Sequence, residues 1–187
     1  MDTKSLLIDT ATTLFQQKGY KNVGLNEILK ACNVTKGALY HHFPNGKEEL
    51  LIICLHSLNE AITTDIEAIF SRHQSPEDAI HSMIDKLIHN FESNNTIIGY
   101  TFSSIVSEMA TMSEPVRIAC SALYENIQAM YYEKLITEDY SNESASAIAL
   151  LLTTSIEGAI MLCLTQKSST PLKKIAALLP SILKVNH

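Results

Sequence analysis

Apolar residues recur every three or four positions along most of this chain, the spacing that places them on one face of an α-helix. Residues 3–18 show the pattern first, with Leu7, Leu14 and Phe15 on one face and Gly19 after the last turn. Further segments with the same period fall at about 25–32, 35–43, 47–72, 76–92, 102–112, 115–138, 142–164 and 171–183. No run alternates as convincingly as a strand would. The pattern therefore predicts an all-α protein of about nine helices.

Two of the predicted helices are short and lie close together in the sequence. The first has apolar residues at i, i+3, i+4 and i+7, from Leu25 to Cys32. At the start of the second, Thr35 is placed to cap the free N–H groups of the first turn. Two short helices joined by three or four residues are typical of a helix-turn-helix, and the preceding helix would pack over them. The sequence therefore predicts a three-helix DNA-binding domain in residues 1–47, followed by a second helical domain in residues 48–187.

The second short helix carries most of the side chains predicted to meet DNA. Leu39 and Phe43 form its core-facing stripe, so the remaining side chains point elsewhere. Cationic, hydroxyl and imidazole groups can contact phosphate oxygens and base edges in a major groove. With one residue from the preceding helix and one from the next, the predicted DNA-contacting residues are Asn26, Thr35, Lys36, Gly37, Ala38, Tyr40, His41, His42 and Lys47.

The charge distribution agrees with this placement, although the chain as a whole has a net charge of −6. Residues 1–47 carry six lysines and three acids, a net +3, whereas residues 48–187 carry eight Lys or Arg and seventeen acids, a net −9. A basic segment attracts the phosphate backbone and an acidic one repels it, so DNA binding is expected of the first domain. Four cysteines without C-x-x-C spacing, and an N-terminus without a signal peptide, are typical of a cytoplasmic protein.

The segment from Thr35 to Phe43, TKGALYHHF, followed by KEEL from Lys47, resembles the recognition helix of the TetR family of bacterial repressors. Most of that family has two residues between the phenylalanine and the lysine, whereas this chain has three, Pro44-Asn45-Gly46. This variant and the segment 156–172 resemble those of the LmrA/YxaF-like subgroup. The resemblance to that subgroup extends over nearly the whole chain. The resemblance implies a cytoplasmic homodimer that represses transcription from a palindromic double-stranded DNA operator. It also implies release by a small hydrophobic or aromatic effector, and control of efflux or detoxification genes, as in drug resistance.

Methionines and tyrosines are concentrated in the helices predicted at 102–112 and 115–138, where they could line an adaptable pocket or form ordinary core. The resemblance favours a pocket. Glu157 lies in an apolar helix, where a carboxylate either has a structural hydrogen-bonding partner or serves as a polar anchor for an effector. The predicted pocket residues are Phe91, Phe102, Ile105, Met109, Tyr124, Met130, Tyr131, Glu157 and Met161.

Residues 145–164 are apolar nearly all round, which requires that both sides of the helix be covered. A membrane span is disfavoured by Glu157 near the middle and by the absence of tryptophan from the chain. Burial within an oligomer is predicted instead, with Gly158 allowing close approach of a partner subunit. In the TetR family the last two long helices pair with their symmetry mates, and the interface residues predicted here are Ile156, Gly158, Ile160, Leu178, Leu179 and Ile182.

An alternative function is that of a metal-responsive sensor, because His81, Asp85 and His89 recur at intervals of four on one helix face. A solvated face with histidine–carboxylate pairs explains the same spacing without a ligand. The sequence contains no Ser-His-Asp order, glycine-rich phosphate loop or C-x-x-C site. No enzyme activity, bound metal or cofactor is therefore predicted.

Overall fold

The computed structural model describes residues 2–95, 97 and 113–184, and these residues form eight helices without a strand. The helices are α1 (Thr3–Lys18), α2 (Leu25–Cys32), α3 (Lys36–His42), α4 (Lys47–Phe70), α5 (Pro76–Asn94), α6 (Glu114–Ile136), α7 (Asn142–Gln166) and α8 (Thr170–Lys184). The all-α prediction is confirmed. The helix predicted at 102–112, with the pocket residues Phe102, Ile105 and Met109, lies outside the described residues.

The described chain divides into two compact units. The first contains residues 2–61 and 113–123, and the second contains residues 62–95, 97 and 124–184. The division therefore falls inside α4 and inside α6. The functional boundary after residue 47 stays a prediction, and the first compact unit extends beyond it into α4.

Helices α1 to α3 and the start of α4 share one apolar core in the first unit. Leu7, Phe15, Leu39, Phe43 and Leu50 are each at most 1% exposed. Full burial of one such side chain contributes roughly 1.5–3 kcal/mol. This core therefore fixes the mutual arrangement of the short helices.

Two thiols add polar contacts to the same core. Cys32 Sγ lies 3.7 Å from the Leu6 carbonyl oxygen, and Cys54 Sγ lies 3.5 Å from the Ile8 carbonyl oxygen. Burial raises the pKa of the Cys54 thiol to about 12, so at neutral pH it stays protonated. Both cysteines act here as small buried side chains that join α2 and α4 to α1.

In the second unit α8 packs against both α5 and α7. The Glu92 carboxylate at the end of α5 accepts hydrogen bonds at 2.6 Å from the Ser169 hydroxyl and from the Lys173 ammonium. At the other end of α8, the Tyr140 hydroxyl donates to the Leu183 carbonyl at 2.9 Å. The last helix is therefore tied at both ends to the rest of this unit.

Candidate DNA-binding surface and effector site

A turn of three residues, Asn33 to Thr35, joins α2 to α3. Asn33 has a φ of 54°, in the left-handed region that asparagine adopts more readily than most residues. Its N–H bonds to the carbonyls of Leu29 and Lys30, and the Val34 N–H also bonds to the Leu29 carbonyl. These bonds close the end of α2 and direct the chain into α3.

The start of α3 is capped and its inner side is anchored. The Thr35 hydroxyl accepts a hydrogen bond from the Ala38 N–H at 3.2 Å, which forms the predicted cap. Leu39 and Phe43 have no exposed surface. Because these two residues hold the helix against the core, its opposite face is left to solvent.

The outer face of α3 carries the side chains predicted to contact DNA. Those that are exposed, with one from α2, are Asn26, Thr35, Lys36, Gly37, Tyr40 and His41, while Ala38 and His42 are half-buried. The Lys36 ammonium lies 5.8 Å from the centre of the Tyr40 ring, within the range of a cation–π contact. The face thus combines positive charge, a phenol and two imidazoles on one short helix.

Lys47 differs from the prediction of a phosphate contact. Its ammonium donates to the Tyr20 carbonyl at 2.5 Å and lies 3.8 Å from the centre of the Tyr20 ring. An ammonium held in this way points into the first unit and joins the start of α4 to the loop after α1. A phosphate contact would require it to extend outward, so the structure corrects this assignment.

Gly46 is a functional candidate that the sequence reasoning did not select. It has a φ of 73°, which favours glycine, and its N–H bonds to the Phe43 carbonyl at 2.9 Å. A Cβ added at Gly46 would lie 3.5 Å from Cε1 of Tyr40, so the Tyr40 ring already packs against this turn. The only sequence signal for this arrangement was the extra residue in Pro44-Asn45-Gly46.

Within the second unit, the structure brings together two of the predicted pocket residues. The Tyr124 side chain on α6 is hydrogen-bonded to the Glu157 carboxylate on α7. Burial raises the pKa of Glu157 from its usual 4.5 to about 7, and the hydrogen bond from Tyr124 opposes this rise without cancelling it. Near neutral pH, the protonated and ionised forms of Glu157 therefore have similar free energies, so a small change in its surroundings can change its charge.

The other described pocket candidates lie in different surroundings. Tyr131 is buried, with its hydroxyl donating to the Met83 sulfur at 3.2 Å, and Phe91 is buried in α5. Met130 lines an open groove on the surface. Met161 is 40% exposed on α7, so it points away from the interior of its own chain. Its place in the effector pocket stays a prediction.

The six residues predicted at the dimer interface differ in their exposure to solvent. Ile156, Ile160 and Leu179 are at most 5% exposed, because their own chain buries them. A side chain buried in its own protomer has no surface left for a partner, so these three assignments are corrected. Gly158 and Leu178 are exposed, and Ile182 is half-buried.

An apolar face of α7 is exposed in the described part of the chain. Leu150, Leu151, Met161 and Leu162 are between 40% and 53% exposed, and Gly158 lies on the same face. Among the described residues, α7 is also the one helix long and apolar enough to cross a membrane, although 44% of its most apolar stretch is buried inside the protein. The apolar pattern of residues 145–164 predicts this helix but does not show which of its sides is buried and which is exposed.

The histidine–carboxylate stripe on α5 gives one pair. His81 Nδ1 lies 3.0 Å from Oδ2 of Asp85, and both side chains are exposed. No group of three His, Cys, Asp or Glu side chains that could hold a metal ion occurs in residues 2–95, 97 and 113–184. Nothing in those residues favours the metal-sensor alternative for His81, Asp85 and His89.

Two family models match the chain. Residues 7–53 match the bacterial regulatory proteins of the tetR family. Residues 76–178 match the C-terminal domain of the LmrA/YxaF-like transcriptional regulators. The first match contains α2 and α3, and the second contains both Tyr124 and Glu157.

Two regulators of Bacillus subtilis (strain 168) are similar along almost the whole chain. The uncharacterized HTH-type transcriptional regulator YxaF is 36% identical over 98% of this chain and 96% of its own length. The HTH-type transcriptional regulator LmrA is 35% identical over 98% of this chain and 97% of its own length.

Solved structures show the same fold. The reduced form of E. coli NemR has a TM-score of 0.86 at 24% identity, with 97% of each chain covered. A TetR transcriptional regulator from Legionella pneumophila has a TM-score of 0.84 at 22% identity, with 98% of each chain covered. The two family models and the two Bacillus subtilis relatives show that the chain belongs to the TetR family of transcriptional regulators, in its LmrA/YxaF-like group.

Proposed function

We propose that this regulator is a cytoplasmic homodimeric repressor that binds a palindromic operator through α3 and leaves it when a small hydrophobic or aromatic compound binds. The observation that carries the proposal is the outer face of α3. Lys36, Tyr40 and His41 are exposed on a helix whose inner residues are fully buried. A short rigid helix with such a face has the shape and the chemistry for a major groove.

The exposed apolar face of α7 supports the homodimer. Leu150, Leu151 and Leu162 are each about half exposed, which is costly for several large apolar side chains on one helix in water. A second copy would cover this face, and Gly158 would let the two helices approach closely. A twofold axis would then present two α3 helices, which is why the operator should be palindromic. Recovery of the protein in a lipid fraction instead would favour a membrane span for α7.

The Tyr124–Glu157 pair supports an effector site in the second unit. It joins two helices by one polar contact, and Glu157 is half-buried. A ligand with an apolar body could take one of these groups as its hydrogen-bonding partner, while the apolar part gains from burial. Release of DNA requires that the ligand bind one conformation of the regulator better than another. Efflux or detoxification genes are the proposed targets of this control.

The test is a binding assay with the protein and the DNA upstream of its own gene, with and without a panel of planar aromatic compounds. We expect a specific complex that one or more of these compounds releases. Tyr40→Ala should weaken the complex, whereas Lys30→Ala, an exposed lysine on α2 outside the α3 face, serves as the control. Equal losses in both variants would mean that binding does not depend specifically on the α3 face. A complex that no compound releases would remove the aromatic effector from the proposal.

A further inference from the structure

A groove of about 520 Å³ opens on the surface of the second unit, where the end of α4 lies beside the later part of α6. Phe70, Ala129 and Met130 give it an apolar floor. Its volume falls in the range of roughly 300–1,000 Å³ typical of sites for small organic ligands. Neither Tyr124 nor Glu157 lines it, so the groove is distinct from the proposed effector site.

Negative charge surrounds the apolar floor. Glu67 from α4 and Glu133 from α6 line the groove with exposed side chains, and neither forms an ion pair with another described residue. The edge of the groove therefore attracts a cation.

The lysine that lines this groove is turned towards the backbone. The Lys134 ammonium donates to the His73 carbonyl at 2.5 Å and lies 3.4 Å from the Phe70 carbonyl oxygen. These contacts hold its charge at the end of α4 and satisfy carbonyls that the helix itself leaves free. Lys134 is thus held by the backbone and pairs with neither glutamate, so its charge offsets only one of the two carboxylates and a net negative charge remains at the groove.

We propose that this groove binds a small amphipathic organic cation, with its apolar body on Phe70, Ala129 and Met130 and its charged nitrogen between Glu67 and Glu133. A neutral compound of the same shape would gain the apolar contact alone. An anion would also meet the repulsion of both carboxylates. The site lies within the second unit and includes neither Tyr124 nor Glu157.

The proposal is tested with dansylcadaverine, an aromatic sulfonamide that carries a primary amine, titrated into the full-length protein without DNA. The emission of the dansyl group reports binding. Its N-acetyl derivative has the same aromatic body but no charge. We expect the amine to bind about tenfold more tightly than the acetylated compound at low salt, because two exposed carboxylates each contribute a modest attraction. Raising the salt concentration should reduce the difference.

Variants locate the site. The double variant Glu67→Gln/Glu133→Gln should bind both compounds alike, whereas Glu143→Gln, an exposed acid on α7 outside the groove, should keep the tenfold preference. Ala129→Trp fills the floor at an exposed position and should weaken both compounds by at least about tenfold, with an unchanged melting curve as the control for folding. Equal binding of the two compounds to the wild type, or undiminished binding to Ala129→Trp, would overturn the proposal.

Discussion

Helices α3 and α7 share the same helical period but differ in how the polarity of their side chains changes around the helix. In α3 the buried residue Leu39 is followed by Tyr40, which is 40% exposed and polar at its tip, so polarity changes around the helix. In α7 the buried residues Ile156 and Ile160 and the exposed residue Leu151 are all apolar. A surface that meets DNA differs in composition from the core, whereas a surface that meets another protein can resemble it. Function is therefore easier to infer from α3 than from α7.

The largest expected effect is on the α7 face. Leu151→Glu should weaken the homodimer by at least about a hundredfold, because each subunit loses an apolar contact worth roughly 1.5–3 kcal/mol and gains a charge at the interface. Sedimentation velocity over a range of protein concentrations measures the change. Ser57→Glu places the same charge at an exposed position of α4 and should leave the dimer intact. A monomer–dimer equilibrium that Leu151→Glu does not alter would place the interface elsewhere.

A smaller effect separates the two sides of α3. Tyr40→Ala should weaken specific DNA binding about tenfold to a hundredfold, equivalent to roughly 1–3 kcal/mol, with little change in thermal stability. Leu39→Ala should instead lower the free energy of unfolding by about 2–5 kcal/mol, because it leaves a cavity in a fully buried position. Calorimetry and operator titration distinguish the two. If Tyr40→Ala lost as much stability as Leu39→Ala, Tyr40 would belong to the core.

The pH dependence of stability sharpens the comparison inside the second unit. The pKa of Glu157 is about 7 in the folded protein against a usual 4.5, so the folded state binds this proton more tightly than the unfolded state. The contribution of Glu157 to stability is therefore complete below about pH 4.5 and is lost as the pH rises to about 7. At ~1.36 kcal/mol per pKa unit, reduced for partial exposure, the loss is on the order of 2 kcal/mol.

Glu157→Gln isolates this contribution because glutamine does not titrate. Relative to the wild type, the variant should gain stability as the pH rises from about 5 to 7, measured as the difference between two series of melting curves. Tyr124→Phe removes the partner hydroxyl and should raise the pKa of Glu157 further, since the hydrogen bond from Tyr124 lowers it. A constant difference between wild type and Glu157→Gln across this range would show that Glu157 does not titrate there.

The smallest effect concerns two lysines of the first unit. Lys36→Ala should weaken binding to all DNA sequences alike and reduce the slope of log K against log salt by about one, as a phosphate contact does. Lys47→Ala should leave that slope unchanged and lower the free energy of unfolding by about 1–2 kcal/mol, because its ammonium bonds to the Tyr20 carbonyl. A reduced salt slope in Lys47→Ala would restore the phosphate contact that its sequence position suggested.

Local signals explain what the sequence could predict. The cap at Thr35, the buried stripe of Leu39 and Phe43 and the start of the helix predicted at 76–92 all depend on residues within one or two turns, and the structure contains each of them. The direction of Lys47 depends on Tyr20, whose place is decided by the packing of α1. A pattern read along one helix cannot show such a partner.

The same limit applies to the second unit. The concentration of methionines and tyrosines predicts Tyr124 as a pocket residue, and the apolar surroundings of a carboxylate predict Glu157. Their pairing depends on how α6 and α7 face each other. Met161 is as apolar as its buried neighbours, and only the packing of α7 decides that it faces outward. Where every side of a helix is apolar, the sequence predicts that the helix is covered but does not show which surface covers it.

The turn at Gly46 has a consequence for engineered regulators with altered operators. Tyr40 packs against Gly46, which lies beyond the end of α3, so the position of the ring that we propose to face DNA depends on both the helix and the turn. A chimaera that exchanges only residues 35–43 with a relative whose turn is one residue shorter would separate the ring from its support. We therefore expect that a change of operator specificity requires the exchange of residues 35–46 together.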